Sequence, residues 1–210
     1  MKYKVMIVED QTMPRELFEL RVQASERFEL ALSIDNAALA DVYCLRFPVD
    51  LILMDVITRD GENGLDAAAR IKRAFPQIKI IIVTSMPECS YLKRAKEIGV
   101  ESFWYKEEQR ESLLDVMERT MNGESVYPGA SPELTLGMAS SYQFTERELD
   151  ILREITSGDT NQEIAERLHM SVATVKTHIL NMLEKTGFRN RTELAVRARE
   201  SGLVILDRKN

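Results

Sequence analysis

Two cysteines and two histidines are all that the 210-residue chain carries of either type. Cys44 and Cys89 stand far apart, without the close spacing of a zinc site, and two cysteines make no disulfide framework. Both thiols read as small core or surface residues in a reducing, cytoplasmic setting. Long apolar runs are also missing. None approaches the roughly 18 residues that a membrane span requires, and no basic-then-apolar signal segment opens the chain, so no membrane partner is expected. There is no internal repeat and no low-complexity tract. What is present is ordinary for a globular protein, 44% hydrophobic and 30% charged residues, in a length comfortable for two domains.

The formal charge of −6 argues against a uniformly nucleic-acid-binding surface, but the average hides an asymmetry. Residues 1–122 hold 17 basic and 21 acidic side chains, a net of −4, whereas residues 172–199 hold six basic and two acidic ones, a net of +4. An acidic front and a locally basic rear suggest a sensing part joined to a nucleic-acid reader.

Short all-apolar runs alternate with amphipathic segments through residues 1–122. This predicts five βα units, with strands near 4–8, 28–33, 50–54, 79–84 and 102–105 and helices near 13–24, 37–47, 64–75, 89–98 and 108–122. The expected fold is a doubly wound (βα)5 domain of the α/β class, its parallel strands buried on both faces. Residues 123–143 are rich in Gly, Pro and Ser without sustained periodicity and read as a linker. Residues 144–210 are expected to form an all-α domain of four short helices.

Polar residues fall where each central strand stops: Glu9-Asp10, Asp55, Thr84 and Lys106. In open α/β sheets ligands sit outside the carboxyl ends of the strands, so three acids, a hydroxyl and an ammonium should meet in one pocket. Taken singly, Asp10 reads equally well as a helix cap and Lys106 as a solvated lysine; the coincidence favours a joint role. Carboxylates on adjacent loops suit Mg²⁺ or Mn²⁺, with Asp10 and Asp55 ligating directly and Glu9 through water. A carboxylate beside such an ion can attack phosphorus to give an acyl phosphate, which Lys106 would pair with as a point charge and the Thr84 hydroxyl would hydrogen-bond.

These residues, in this order and at this spacing, resemble the receiver domain of two-component response regulators. The resemblance implies Asp55 as the acceptor of phosphate from a histidine kinase, Phe103 as the switch aromatic, and the backbone carbonyl of Ile57 as a further metal ligand. Two departures stand out. Arg59 occupies the place of a usual proline, and the following glycine match is displaced by one, to Gly64, with an extra Asp60-Gly61 turn in the loop TRDGEN. Apolar Ile57 and Met86 lie two residues past Asp55 and Thr84, where an amide or acid can orient a hydrolytic water, so slow self-dephosphorylation is expected.

Further on, Thr145 with Glu148 forms a capping box, Thr160 caps a short helix over 161–168, and Ser171 caps a third helix over 172–186. Two helices joined by a tight turn, the second flanked by cations, follow the helix-turn-helix plan. The segment TNQEIAERLHMSVATVKTHILNMLEKTGFRNRTELA resembles the LuxR-type helix-turn-helix of the NarL/FixJ subfamily. On the third helix Lys176, Thr177, Leu180 and Asn181 would face base edges, and Thr174, His178, Arg189 and Arg191 would contact phosphates. Leu180, Glu184 and Thr186 depart from the residues usual at those positions.

The function expected is a DNA-binding response regulator, not an enzyme, in which phosphate on Asp55 controls homodimerisation and binding to a double-stranded promoter site. One alternative is a phosphorylation-independent transcription factor whose receiver only dimerises. An aspartyl-phosphatase is the other, disfavoured because Ile57 stands where such an enzyme needs a second carboxylate.

Overall fold

The computed structural model describes residues 2–59, 63–85, 89–106 and 112–204, except for the side chains of residues 89 and 90. The proposed Asp60-Gly61 turn and Met86 lie outside the described residues. The chain divides into two compact units, the first built mainly from residues up to Ala130 and the second mainly from Ser131 onward.

The first unit is a five-stranded parallel sheet in the order β2-β1-β3-β4-β5. Its strands are β1 (Tyr3–Val8), β2 (Phe28–Ile34), β3 (Leu51–Met54), β4 (Lys79–Thr84) and β5 (Ser102–Tyr105). Its helices are α1 (Thr12–Gln23), α2 (Ala40–Arg46), α3 (Gly64–Ala74), α4 (Cys89–Ile98) and α5 (Leu113–Met121). Side chains alternate across each strand. Val5, Ile7, Leu53, Ile81 and Val83 pack with Phe18 and Val22 of α1 and with Val116 and Met117 of α5. Met6, Ile52 and Ile80 point to the opposite face, where α3 buries Leu65, Ala68 and Ile71. Burial on both faces is why the strands read as unbroken apolar runs.

Register sets Val8 beside Met54 and Met54 beside Ile82, and β4 and β5 run on two residues further, to Thr84 beside Tyr105. Glu9, Asp55, Thr84 and Lys106 therefore emerge along one edge. Among the described residues α5 starts only after the extended N-cap Ser112, later than the expected 108, with 108–111 outside the described residues, and α2 also departs from its expected start. Ala37–Leu39 forms a 3-10 turn before the α-helix starts at Ala40. The Asn36 side chain accepts from the Ala38 N–H, and the Thr58 hydroxyl takes the Ala37 N–H.

The segment read as a patternless linker is ordered. Its first part returns along β5, where the Phe103 N–H donates to the Val126 carbonyl at 2.8 Å and the Tyr127 hydroxyl to the Val100 carbonyl at 2.7 Å. Its second part opens the other unit with a hairpin, β6 (Thr135–Leu136) and β7 (Ala139–Ser140). Two-residue strands are too short to carry any periodicity.

The second unit continues with α6 (Glu146–Ser157), α7 (Asn161–Arg167), α8 (Val172–Thr186) and α9 (Arg191–Ser201). The expected capping box of Thr145 with Glu148 forms at its front, and Thr160 caps α7 in a second box with Glu163. Its core joins Leu149, Leu152 and Ile155 of α6 with Ile164, Val175, Ile179, Met182 and Leu194. Between α7 and α8 the chain turns through His169 at φ 54°, which is positive for a non-glycine residue; histidine is among the types that tolerate this region.

Candidate functional site

The acids and the lysine expected at the strand ends do meet. The Lys106 ammonium donates to Glu9 Oε2 at 2.5 Å and to Asp55 Oδ2 at 2.9 Å, and the Val56 N–H donates to Asp55 Oδ1 at 2.7 Å. Glu9 is 1% exposed and Asp55 5%, while Asp10 is half-buried. One carboxylate oxygen from each of Glu9, Asp10 and Asp55 lies within 4.8 Å of the other two, an all-oxygen cluster that fits a hard divalent cation.

Crowding acids out of water disfavours their charged forms. Burial, reinforced by the neighbouring charge of Asp55, pushes the Glu9 carboxyl from 4.5 up to about 7. Burial likewise raises Asp55, against the pull of Lys106. For Lys106 burial disfavours the charge, but Asp55 and Glu9 outweigh it and hold the ammonium above its ordinary range.

Thr84 is fully buried at the end of β4, and its carbonyl accepts from the Lys106 N–H at 2.9 Å, which ties β4 to the lysine-bearing end of β5. Phe103 is buried too, its ring 5.0 Å from that of Tyr105 and 6.3 Å from that of Tyr127.

Past Asp55 the backbone is held from both sides. Ile57 pairs with Asn63 in an isolated antiparallel bridge, and the Gly64 N–H donates to the Val56 carbonyl at 2.7 Å. A Cβ on Gly64 would lie 1.8 Å from the Asp55 carbonyl oxygen. The displaced glycine is thus required by the close approach of α3 to the Asp55 backbone.

In the second unit Thr174, Lys176, Thr177 and Asn181 are exposed on α8, and Leu180 is 62% exposed beside them. Val175, Ile179 and Met182 occupy the buried stripe. His178 is half-buried and Arg189 exposed. Arg191 differs from the rest. Its guanidinium donates to the Asn161 side chain at 2.5 Å and to the Asp159 carbonyl, so it ties the start of α9 to the α6–α7 turn. That commitment favours a positioning role over a direct phosphate contact.

Sequence reasoning overlooked two supporting groups. Glu148 was legible as a cap residue, but Lys185 also bonds both of its oxygens, at 2.8 and 2.7 Å, and pins α8 to α6. Those bonds, together with Thr145, hold Glu148 below its ordinary range although burial opposes this. Thr186, unusual for a core position, satisfies its buried hydroxyl by donating to the Met182 carbonyl at 2.7 Å.

Comparison with known proteins follows the same division. The family model described as response regulator receiver domain matches residues 5–118, and that described as bacterial regulatory proteins, luxR family, matches residues 142–198. Response regulator protein VraR of Staphylococcus epidermidis is 34% identical over 212 residues, with 97% of this chain and 100% of the relative covered. VraR of Staphylococcus aureus is 33% identical over the same coverage. A structure of two RcsB dimers bound to two parallel DNAs superposes with a TM-score of 0.62 at 17% identity, covering 94% of this chain and 98% of that one. Response regulator ChrA of a heme-sensing two-component system gives 0.52 at 21% identity, covering 97% of this chain and 99% of that one. The two structural likenesses show the fold, and the sequence matches show the lineage: the chain belongs to the response regulators that join a receiver domain to a LuxR-type regulatory domain.

Proposed function

We propose that the protein is a phosphorylation-controlled transcription regulator in which Asp55 takes a phosphoryl group from a histidine kinase. The observation that carries this reading is the buried Asp55–Lys106–Glu9 constellation at the strand ends, with Asp10 close by. One Asp55 carboxylate oxygen attacks phosphorus, forming an O–P bond as the P–N bond to the donor imidazole breaks. Lys106 keeps its charge through the pH range of a cell and pairs with the phosphoryl oxygens. The Thr84 hydroxyl bonds a phosphoryl oxygen, and the Phe103 ring responds to that movement. Asp10 and Asp55 directly, Glu9 through water and the Ile57 carbonyl would hold Mg²⁺ or Mn²⁺, which offsets the charge on the incoming group. Apolar Ile57 offers no side-chain partner for a hydrolytic water, which favours a long-lived acyl phosphate.

Downstream, the exposed face of α8 reads the major groove through Lys176, Thr177, Leu180 and Asn181, with Thr174, His178 and Arg189 setting register on phosphates. The DNA-bound RcsB dimers support a dimer on two half-sites. A small phosphodonor and Mg²⁺ supplied to the purified chain should add the mass of one phosphoryl group, removable by hydroxylamine and absent in Asp55→Ala. A gain that persists in Asp55→Ala would overturn the acceptor assignment, and no gain in the wild type would overturn the phosphorylation reading.

A further inference from the structure

In the loop after Asp55, Arg59 stands in place of the proline usual in the family, and the loop bonds the turn after β2. Three observations join residues 58–59 to the turn after β2, and a fourth holds that turn to α3. The Thr58 hydroxyl, on a residue 2% exposed, accepts the Ala37 N–H at 3.0 Å. The Arg59 N–H, which a proline could not supply, donates to the Asp35 carbonyl at 3.2 Å. The Arg59 guanidinium then pairs with the Asp35 carboxylate at 2.7 Å. From the other side, Arg70 of α3 holds the same turn by donating to the carbonyls of Ala37 at 3.4 Å and Ala38 at 3.2 Å.

We infer that Thr58, Arg59 and Asp35 are positioning residues for the metal pocket, fixing the backbone at Ile57 so that its carbonyl serves as a ligand. This rests on the proposed acceptor chemistry and assigns it a support that no comparison carries. Physically, a proline removes loop freedom through its ring, whereas here the freedom is removed by hydrogen bonds to a neighbouring turn. The buried Thr58 bond contributes most. Losing it strands the buried Ala37 N–H, whereas the Arg59–Asp35 ion pair is largely exposed and screened. Groups that orient a metal ligand from outside the coordination sphere characteristically alter affinity by on the order of tenfold or more when removed.

The test is calorimetric titration of the full chain with Mg²⁺, alongside thermal melting without the ion and the rate of phosphoryl uptake from a small phosphodonor. Thr58→Val should weaken Mg²⁺ binding on the order of tenfold and slow uptake. Thr58→Ser, which restores the hydroxyl, should bind as the wild type does. Asp35→Ala should show a smaller loss of affinity with little change in melting. If Thr58→Val melts lower yet binds Mg²⁺ unchanged, Thr58 is merely structural and the inference is wrong. Should Thr58→Val fail to fold, Asp35→Ala decides, and unchanged affinity there overturns the inference. A wild type that binds no Mg²⁺ and takes no phosphoryl group sinks the acceptor chemistry itself, an outcome seen before any variant is made.

Discussion

The two candidate sites are built on opposite principles. In the first unit, charge is buried. Glu9, Asp55 and Lys106 sit in near-complete seclusion, and burial holds both carboxyl groups above their ordinary range, with the charge of Asp55 adding to this at Glu9 and that of Asp10 at Asp55. In the second unit the candidate contacts of α8 other than the half-buried His178 stand in solvent, and the buried polar groups Glu148 and Thr186 serve the scaffold instead. A small anion is bound by a pre-organised, desolvated cage. A long polyanion is met by side chains left free to settle on it. Substitutions should therefore damage folding and chemistry together in the first site and separate them cleanly in the second.

Gly64→Ala should break this contrast most severely. Its Cβ would lie 1.8 Å from the Asp55 carbonyl oxygen, so strand and helix must part. We expect a loss of about 3 kcal/mol in the first unit, read by denaturant melting, together with loss of phosphoryl uptake. An unchanged melt would show that the Asp55 backbone is not clamped as described.

Lys176→Ala should show the opposite behaviour. Affinity for the cognate site should fall by about 1–3 kcal/mol while melting of the second unit stays put. A drop in melting temperature with DNA affinity intact would remove Lys176 from the interface.

Acidity sharpens the comparison, because the two buried glutamates are displaced in opposite directions. Glu9 titrates near 7 in the fold against 4.5 unfolded, so the folded state holds the extra proton between those values. Its contribution to stability is full below 4.5 and lost as pH rises towards 7; in chelator, the first unit should melt lower at pH 7 than at pH 5, and added Mg²⁺ should reduce that difference. Glu148 is lowered, so its contribution is present above 4.5 and disappears on acidification. Glu148→Gln should cost the second unit about 1–2 kcal/mol at neutral pH and flatten its acid limb, whereas an unaltered limb would mean that the Lys185 bridge contributes nothing.

His169→Gly is the mildest change. Relief of the positive φ between α7 and α8 should leave the second unit's stability within about 1 kcal/mol of the wild type, on the stabilising side, and DNA affinity unaltered. A clear destabilisation would assign the His169 side chain a packing role.

How far the sequence reveals each site follows from the same difference. Parallel strands buried on both faces leave long apolar runs, so Asp55 and Lys106 stand out as the polar residues that end them. The exposed face of α8 is legible because Val175, Ile179 and Met182 fix the helix phase. Hidden from sequence were the contacts that join distant segments. Nothing local says that Arg191 bonds Asn161, that Lys185 reaches Glu148, or that Thr58 caps the turn after β2. The order in 123–143 escaped for a related reason. Val126 and Tyr127 pair along the edge of β5 through backbone and hydroxyl, which leaves no hydrophobic period to read.

The central claim is that phosphate on Asp55 governs what α8 does. Selection of DNA sites by the purified protein, with and without a phosphodonor and Mg²⁺ and beside Asp55→Ala, tests it most directly. Binding to a two-half-site sequence should strengthen with the phosphodonor and lose that response in the variant. Equal binding in all three states would contradict the claim and leave the receiver as a phosphorylation-independent dimerisation module.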